Sequence, residues 1–319
     1  MERAINCHSE KKRIEELDWL KCICVLLMVA FHLTLIERMY PDAKNIVFVF
    51  HMPVFLIISG YVTNTEKDTK TFLTQMTTLA VPYIIMESSY IVAASLLPIN
   101  EHINCLTIRT FLDVLLCHPI GPYWFLQTLV ICRITIFMFN KIHWMKNIDI
   151  LIICGLAFWG ISRLGLMSFT ASAFFLVGIA IKSSNIHFLR FFQPSVMAII
   201  AIVFMLLFAP AIDKSAPSGL MFIYLTICFL LSLYRFVNGK VKQVALYIGR
   251  NTLAILLFSP IFTFIAKYYQ PFIICFDSTG VLFLVLSVAI ATVGSLAINQ
   301  VMITMHQSLS INILYHHQN

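Results

Sequence analysis

Residues 17–36 read LDWLKCICVLLMVAFHLTLI. An acid and a base, Asp18 and Lys21, open the stretch; a long apolar run follows, and His32 interrupts it near its end. About 17–25 apolar residues cross the hydrocarbon core of a bilayer as a helix, and this run has that length. It is too long and too uniformly apolar for a barrel strand, and a helix satisfies its own backbone donors and acceptors in lipid. The same reading applies to 46–63, 73–97, 123–139, 148–161, 168–182, 194–210, 219–236, 250–268 and 280–305. With the first run, extended to 17–37, they predict about ten transmembrane helices. The runs at 148–161 and 168–182 are short, which predicts tilted, broken or partly interfacial helices. Residues 107–118 predict a short interfacial helix between the third and fourth spans.

Composition agrees with lipid as the solvent. The 319 residues are 60% hydrophobic and 12% charged, with a mean hydropathy of +0.87. A soluble domain carries about 25% charged residues, and a water-soluble fold could not hide this much apolar surface. The fold class is therefore all-α: a polytopic integral membrane protein in one transmembrane domain over 1–319, with a polar cytoplasmic segment at 1–16 and a cytoplasmic tail at 306–319. Residues 1–16 show no short apolar core ending in a small-residue cleavage site, so they are read as retained rather than as a signal peptide. No internal repeat, low-complexity tract or separate soluble domain is apparent.

The formal charge is +7. Its basic residues are scattered over short loops, which points to membrane topology rather than to nucleic acid. With the N-terminus in the cytoplasm, the inside segments hold fourteen Lys and Arg and the outside segments six, leaving Lys21 and Arg133 within spans. That bias places both termini in the cytoplasm and requires an even number of spans. The nine cysteines show no metal-binding spacing, so no metal and no resident cofactor is expected. Most lie in apolar runs as small hydrophobes; Cys105 and Cys117 share an outside segment that would permit a disulfide.

Ionisable groups inside spans are costly and become functional candidates. Eleven residues separate Lys21 from His32, about three helical turns, so both face one side, roughly 16 Å apart along the axis. Asp18 is placed to pair with Lys21 three residues on. Lys21 alone also reads as an interfacial anchor that snorkels; His32 lies too far along the span for that. His51, in the second span, should lie at a depth similar to His32, and Glu87, midway along the third, falls in the outer half too. His32, His51 and Glu87 form a candidate catalytic cluster, because imidazole suits proton abstraction from a hydroxyl. The alternative is a set of buried polar groups that only hold helices together. Nearer the cytoplasm lie Lys21, Ser59, Tyr61, Arg133, Arg250 and Asn251, with Lys67 and Lys70 at the surface. Such groups suit the phosphates of a cytoplasmic cofactor; ordinary positive-inside charge is the rival reading, above all for Lys67 and Lys70.

The opening from Leu17-Asp18-Trp19-Leu20-Lys21 to Phe31-His32 resembles that of the integral-membrane acyltransferase type 3 family, which includes fucose O-acetylase-like enzymes. Phe50-His51-Met52-Pro53 with Ser59-Gly60-Tyr61, then Val81-Pro82-Tyr83, Gly121-Pro122-Tyr123-Trp124, Phe175-Leu176-Val177-Gly178 and Tyr247-Ile248-Gly249-Arg250-Asn251 resemble its later landmarks, in order. The resemblance implies an acyl-coenzyme A co-substrate, such as acetyl-coenzyme A, on the cytoplasmic side of the cell's inner membrane. It implies as acceptor a hydroxyl of a cell-surface glycan or of its lipid-linked precursor, with membrane lipid as surroundings. It also makes His32 the catalytic residue and sets Lys21 where many members have arginine. Two departures stand out. Met76-Thr77-Thr78-Leu79-Ala80 holds no base where many members carry an arginine, a role that Lys67, Lys70 or Arg133 would have to fill. Ser259-Pro260 stands where many have a late histidine. The expected chemistry is direct transfer, with His32 taking the proton of the acceptor hydroxyl. A transporter would also suit ten spans with charged interiors, although no paired repeat is visible. A sensor or scaffold on the same fold is a second alternative.

Overall fold

The structure, a computed structural model, describes residues 13–64, 68–97, 101–142, 146–208 and 212–316, with side chains up to residue 305. Among the described residues every regular element is helical. In chain order they are α1 (Glu15–Phe31), α2 (Thr34–Met39), α3 (Pro41–Val62), α4 (Thr69–Leu96), α5 (Ile108–Leu116), α6 (Trp124–Asn140) and α7 (Asn147–Arg163). There follow α8 (Phe169–Ser183), α9 (Phe188–Phe191), α10 (Ala198–Phe208), α11 (Pro217–Leu233), a 3₁₀ turn at Tyr234–Phe236, α12 (Gly239–Arg250), α13 (Thr252–Ile274) and α14 (Val281–His316).

Among the described residues five helical segments are long and apolar enough to cross a membrane: Pro41–Val62, Thr69–Leu96, Pro217–Phe236, Thr252–Ile274 and Val281–Met305. A helix stands at each of the ten expected runs, but α1, α6 and α7 have 17 residues, α8 has 15 and α10 has 11. Seventeen residues rise about 26 Å, short of the roughly 30 Å hydrocarbon core. Helix length therefore does not carry the count of about ten. The run 17–37 is not one continuous helix, because α1 stops at Phe31 and the chain restarts as α2. The two short runs are continuous helices, and the expected tail from 306 onward continues α14 as far as His316. Cys105 and Cys117 are free thiols, not a disulfide.

The core is organised on α3, which packs against α1, α6, α8 and α11. Its tightest neighbour is α8. A Cβ on Gly60 would lie 2.0 Å from the carbonyl oxygen of Phe175, and one on Gly178 would lie 2.1 Å from that of Ile57. Lipid supplies no hydrophobic drive between helices, so close backbone approach at small residues takes its place. Two side chains fix α5 against its neighbours. The Tyr83 hydroxyl of α4 donates to the carbonyl of Leu115 at 2.5 Å, and the Gln127 amide of α6 donates to that of Leu116 at 2.5 Å. Both carbonyls belong to the last turn of α5 and have no partner within that helix.

Gly178→Ala should lower the stability of the detergent-purified protein by about 1–3 kcal/mol through overpacking. Gly160→Ala, whose Cβ meets nothing within 4 Å, should leave the thermal midpoint near the parent value. Equal midpoints for both variants would remove the α3–α8 contact from its central place.

Candidate active site

Helix α1 ends on the residue that matters most. The His32 backbone N–H still bonds back to Met28 and Val29, but Leu33 turns extended (φ −77°, ψ 113°) and α2 starts anew. His32 Nδ1 lies 2.7 Å from the carbonyl oxygen of Met28. A carbonyl can only accept, so Nδ1 carries a proton, and in the neutral ring Nε2 keeps its lone pair. The imidazole lines a cavity of about 650 Å³.

Three walls of this cavity come from α1–α2, α4 and α13, and a fourth from the start of α3 and from residues 121–123. Its floor is formed by the buried lining residues, Met28, Pro122, Tyr123 and Ser259. The mouth holds Glu37, Lys44, Glu101 and Lys267. Ser259 and Lys267 are eight residues apart on α13, about 12 Å of depth by helix rise. Lys44 is ion-paired with Glu37 and lies over the Phe48 ring, 5.2 Å from its centroid. Lys267 lies 5.7 Å from the centroid of Phe264.

His51 and Glu87 stand near this cavity but do not line it. His51 is buried, and its Nδ1 donates to the Val47 carbonyl at 2.8 Å, the same tautomer as His32. Phe48 is the shared neighbour of the two imidazoles, with ring centroids 5.9 Å from His32 and 5.0 Å from His51. Glu87 is fully enclosed. Its Oε1 accepts the Ile120 N–H at 2.8 Å, and its Oε2 has no partner. Glu101 Oε2 accepts the next N–H, that of Gly121, at 2.7 Å. Gly121 has φ +62°, and a Cβ there would meet the Tyr90 ring at 3.3 Å. Two carboxylates thus hold consecutive amides of the segment that delivers Tyr123 to the cavity, where the Tyr123 hydroxyl donates to the Leu257 carbonyl at 2.9 Å.

The opposite end of α1 gathers cations. Asp18 is 2% exposed and receives Arg13 at 2.6 Å, Lys21 at 2.7 Å and Arg250 at 3.5 Å. Gly249 permits the approach, since a Cβ there would lie 1.9 Å from the Asp18 carbonyl oxygen. Beside this group Glu15 pairs with Lys242 at 2.9 Å and accepts from the Tyr234 hydroxyl at 2.5 Å. The Tyr234 hydroxyl and the Glu15 carboxylate hold the Lys242 ammonium above the usual lysine range. Lys21 and Arg250 are thus brought together, with Asn251 adjacent and its amide bonded to the Tyr247 carbonyl at 2.8 Å. Ser59 and Tyr61 lie elsewhere, at the end of α3. The Ser59 carbonyl accepts from Thr63, and the Tyr61 hydroxyl accepts the Phe188 N–H at 3.2 Å. Arg133 on α6 keeps a buried Nε without a partner and, among the described residues, no ion pair joins it to the Asp18 group. Lys70 is exposed in the first turn of α4, and Lys67 lies outside the described residues.

Glu101, Glu37, Lys44 and Ser259 were not among the residues singled out from the sequence as a site. Besides His32, the Gly121–Trp124 landmark and the departure at Ser259 pointed to this region. Among the described residues no three His, Cys, Asp or Glu side chains converge as metal ligands.

Apolar helices long enough to cross a bilayer, around a cavity with charged residues at its mouth and an imidazole in its wall, define a multi-pass membrane protein. The family described as an acyltransferase domain, the type 3 acyltransferases, matches residues 14–300, and the chain belongs to it. No curated protein and no solved structure matches the chain.

Glu87→Gln keeps an oxygen for the Ile120 N–H and should lose less stability than Glu87→Leu. Glu87→Leu strands that amide and should cost about 1–3 kcal/mol, read from thermal midpoints in detergent. Equal midpoints for the two variants would contradict a tethering role.

Proposed function

We propose that the protein moves an acetyl or similar small acyl group from acyl-coenzyme A to a hydroxyl of a cell-surface sugar or its lipid-linked precursor. The observation that carries this reading is His32 in the cavity wall, with Nδ1 committed to Met28 and Nε2 free to act as a base. Nε2 takes the proton of the acceptor hydroxyl as its oxygen attacks the thioester carbonyl carbon. A carbon–oxygen bond forms, the carbon–sulfur bond breaks, and the imidazolium returns the proton to the departing sulfur. His51, reached through Phe48, and Glu87, through the Ile120–Tyr123 segment, position the cavity wall around this step.

The acyl donor binds at the Asp18 end. Three cations converge there on one carboxylate, an excess of positive charge suited to phosphate oxygens. Lys21, Arg250 and Asn251 supply the first contacts; Ser59, Tyr61 and Arg133 stand apart from this group. Lys21 to His32 is about 16 Å along α1, a gap that the long arm of an acyl thioester can bridge. The acceptor enters by the mouth at Glu37, Lys44, Glu101 and Lys267, where charged and aromatic groups meet a polar molecule. No cofactor is held permanently. The chain lies in the cell's inner membrane with both termini cytoplasmic and about ten passes, a reading supported by its lysine and arginine distribution. In this orientation the Asp18 end faces the cytoplasm and the cavity mouth faces outward.

His32→Ala in correctly inserted, purified protein should lower acetyl transfer by about 10²-fold or more, the scale of a positioned general base. Turnover of radiolabelled acetyl-coenzyme A with label appearing in glycan is the readout. Transfer preserved in His32→Ala refutes the assignment, and solute uptake without acyl turnover in the parent refutes the enzyme.

A further inference from the structure

Ser259 sits in α13 with 3% of its surface open, and it is a lining residue of the cavity. Serines in membrane helices commonly bond their own backbone one turn back, and several here do so. Ser89 donates to Ile85, Ser172 to Phe169, Ser184 to Ala180 and Ser232 to Phe229. Ser259 is different: among the described residues its hydroxyl makes no hydrogen bond. It is also not sealed away. The fully enclosed polar atoms without partners, among the described residues, belong to Glu87, Arg133, Thr292 and Ser295. Leaving a buried hydroxyl without a partner costs on the order of 1–3 kcal/mol, and here the open side of the group is the chamber.

The surroundings define what the hydroxyl can serve. Met28 and Pro122 make the floor apolar, and the Tyr123 hydroxyl is already committed to Leu257. Among the described floor residues Ser259 is therefore the uncommitted hydrogen-bond donor. His32 lies four residues above Met28 on α1, about 6 Å nearer the mouth. A base above and a lone donor below bracket the place where a carbonyl group would be attacked.

We propose that Ser259 donates a hydrogen bond to the thioester carbonyl oxygen of the acyl donor while negative charge develops there. The proposal rests on the acyl-transfer reading and adds a catalytic residue to it. As the acceptor oxygen adds to the carbonyl carbon, electron density moves onto the carbonyl oxygen. A donor already aimed at that point in an apolar pocket stabilises it more than water would. Ser259 keeps its proton throughout and forms no covalent bond, and the acceptor's proton goes to His32.

The test compares the parent, Ser259→Ala and Ser259→Thr in nanodiscs, with acetyl-coenzyme A as donor and polysaccharide extracted from the source cells as acceptor. Ser259→Ala should lower kcat by about 10²-fold, the scale of one such donor, with donor KM and thermal midpoint near the parent values. Ser259→Thr, which keeps a hydroxyl, should recover at least about a tenth of the parent kcat. The assignment is overturned if Ser259→Ala stays within about three-fold of the parent, or if the Thr variant is as slow as the Ala variant. An acetyl group found on Ser259 by mass spectrometry also overturns it, since that marks a nucleophile. A parent protein that turns over no acetyl-coenzyme A fails the acyl-transfer reading itself, not the Ser259 assignment alone.

Discussion

The hydrogen bond from His32 Nδ1 to the carbonyl of Met28, 2.7 Å long, is the contact on which the rest of the site depends. A helix that stops inside a membrane protein leaves its last carbonyls without partners, and in hydrocarbon no water supplies them. Here the Met28 carbonyl has two partners from one residue: it accepts the His32 backbone N–H at 3.2 Å and the imidazole N–H at 2.7 Å. The same bond fixes the imidazole tautomer and sets the ring against the cavity. Because the helix stops there, residues 34–39 turn into a separate short helix, and Glu37 reaches Lys44 across the mouth. One side chain thus stands at the end of the helix, lines the cavity and presents a basic nitrogen.

Polar groups are handled differently at the two ends of α1. At the Asp18 end they are paired tightly: one nearly inaccessible carboxylate meets three cations, and a glycine on α12 makes room for the contact. Removing a partner from such a group leaves a buried charge uncompensated, which is why the arrangement is closely packed. At the His32 end the polar groups line a chamber, and several are left for a visitor. A tightly paired end with surplus positive charge and an open end, separated by the length of one helix, suit a reaction whose two substrates arrive from opposite sides.

The apolar runs made the helices legible, because lipid forces each long run to become one. The pairing of Asp18 with Lys21 was legible from their three-residue spacing, and it is present at 2.7 Å. The break at His32 was not, since residues 31–40 contain no glycine or proline to announce it. The partners of Asp18 on α12 and of Glu87 at Ile120 were hidden for another reason. They lie 232 and 33 residues away in the chain, and a single sequence carries no signal for such pairings. The amphipathic helix α12 was missed because its short, mixed pattern falls below the length that marks a span. The number of crossings stays outside what either periodicity or helix length decides, because a helix of 17 residues can be a thin span or a buried strut.

The central claim is that His32 presents an unprotonated Nε2 to the cavity, and nitrogen-15 NMR reads this directly. The protein would be labelled at its ten histidines, reconstituted in nanodiscs and compared with His32→Gln to assign the His32 signals. The account predicts a neutral ring with the proton on Nδ1 and an Nε2 resonance that moves when acceptor polysaccharide is added. A His32 ring protonated on Nε2 alone, or an Nε2 signal indifferent to acceptor, would contradict it.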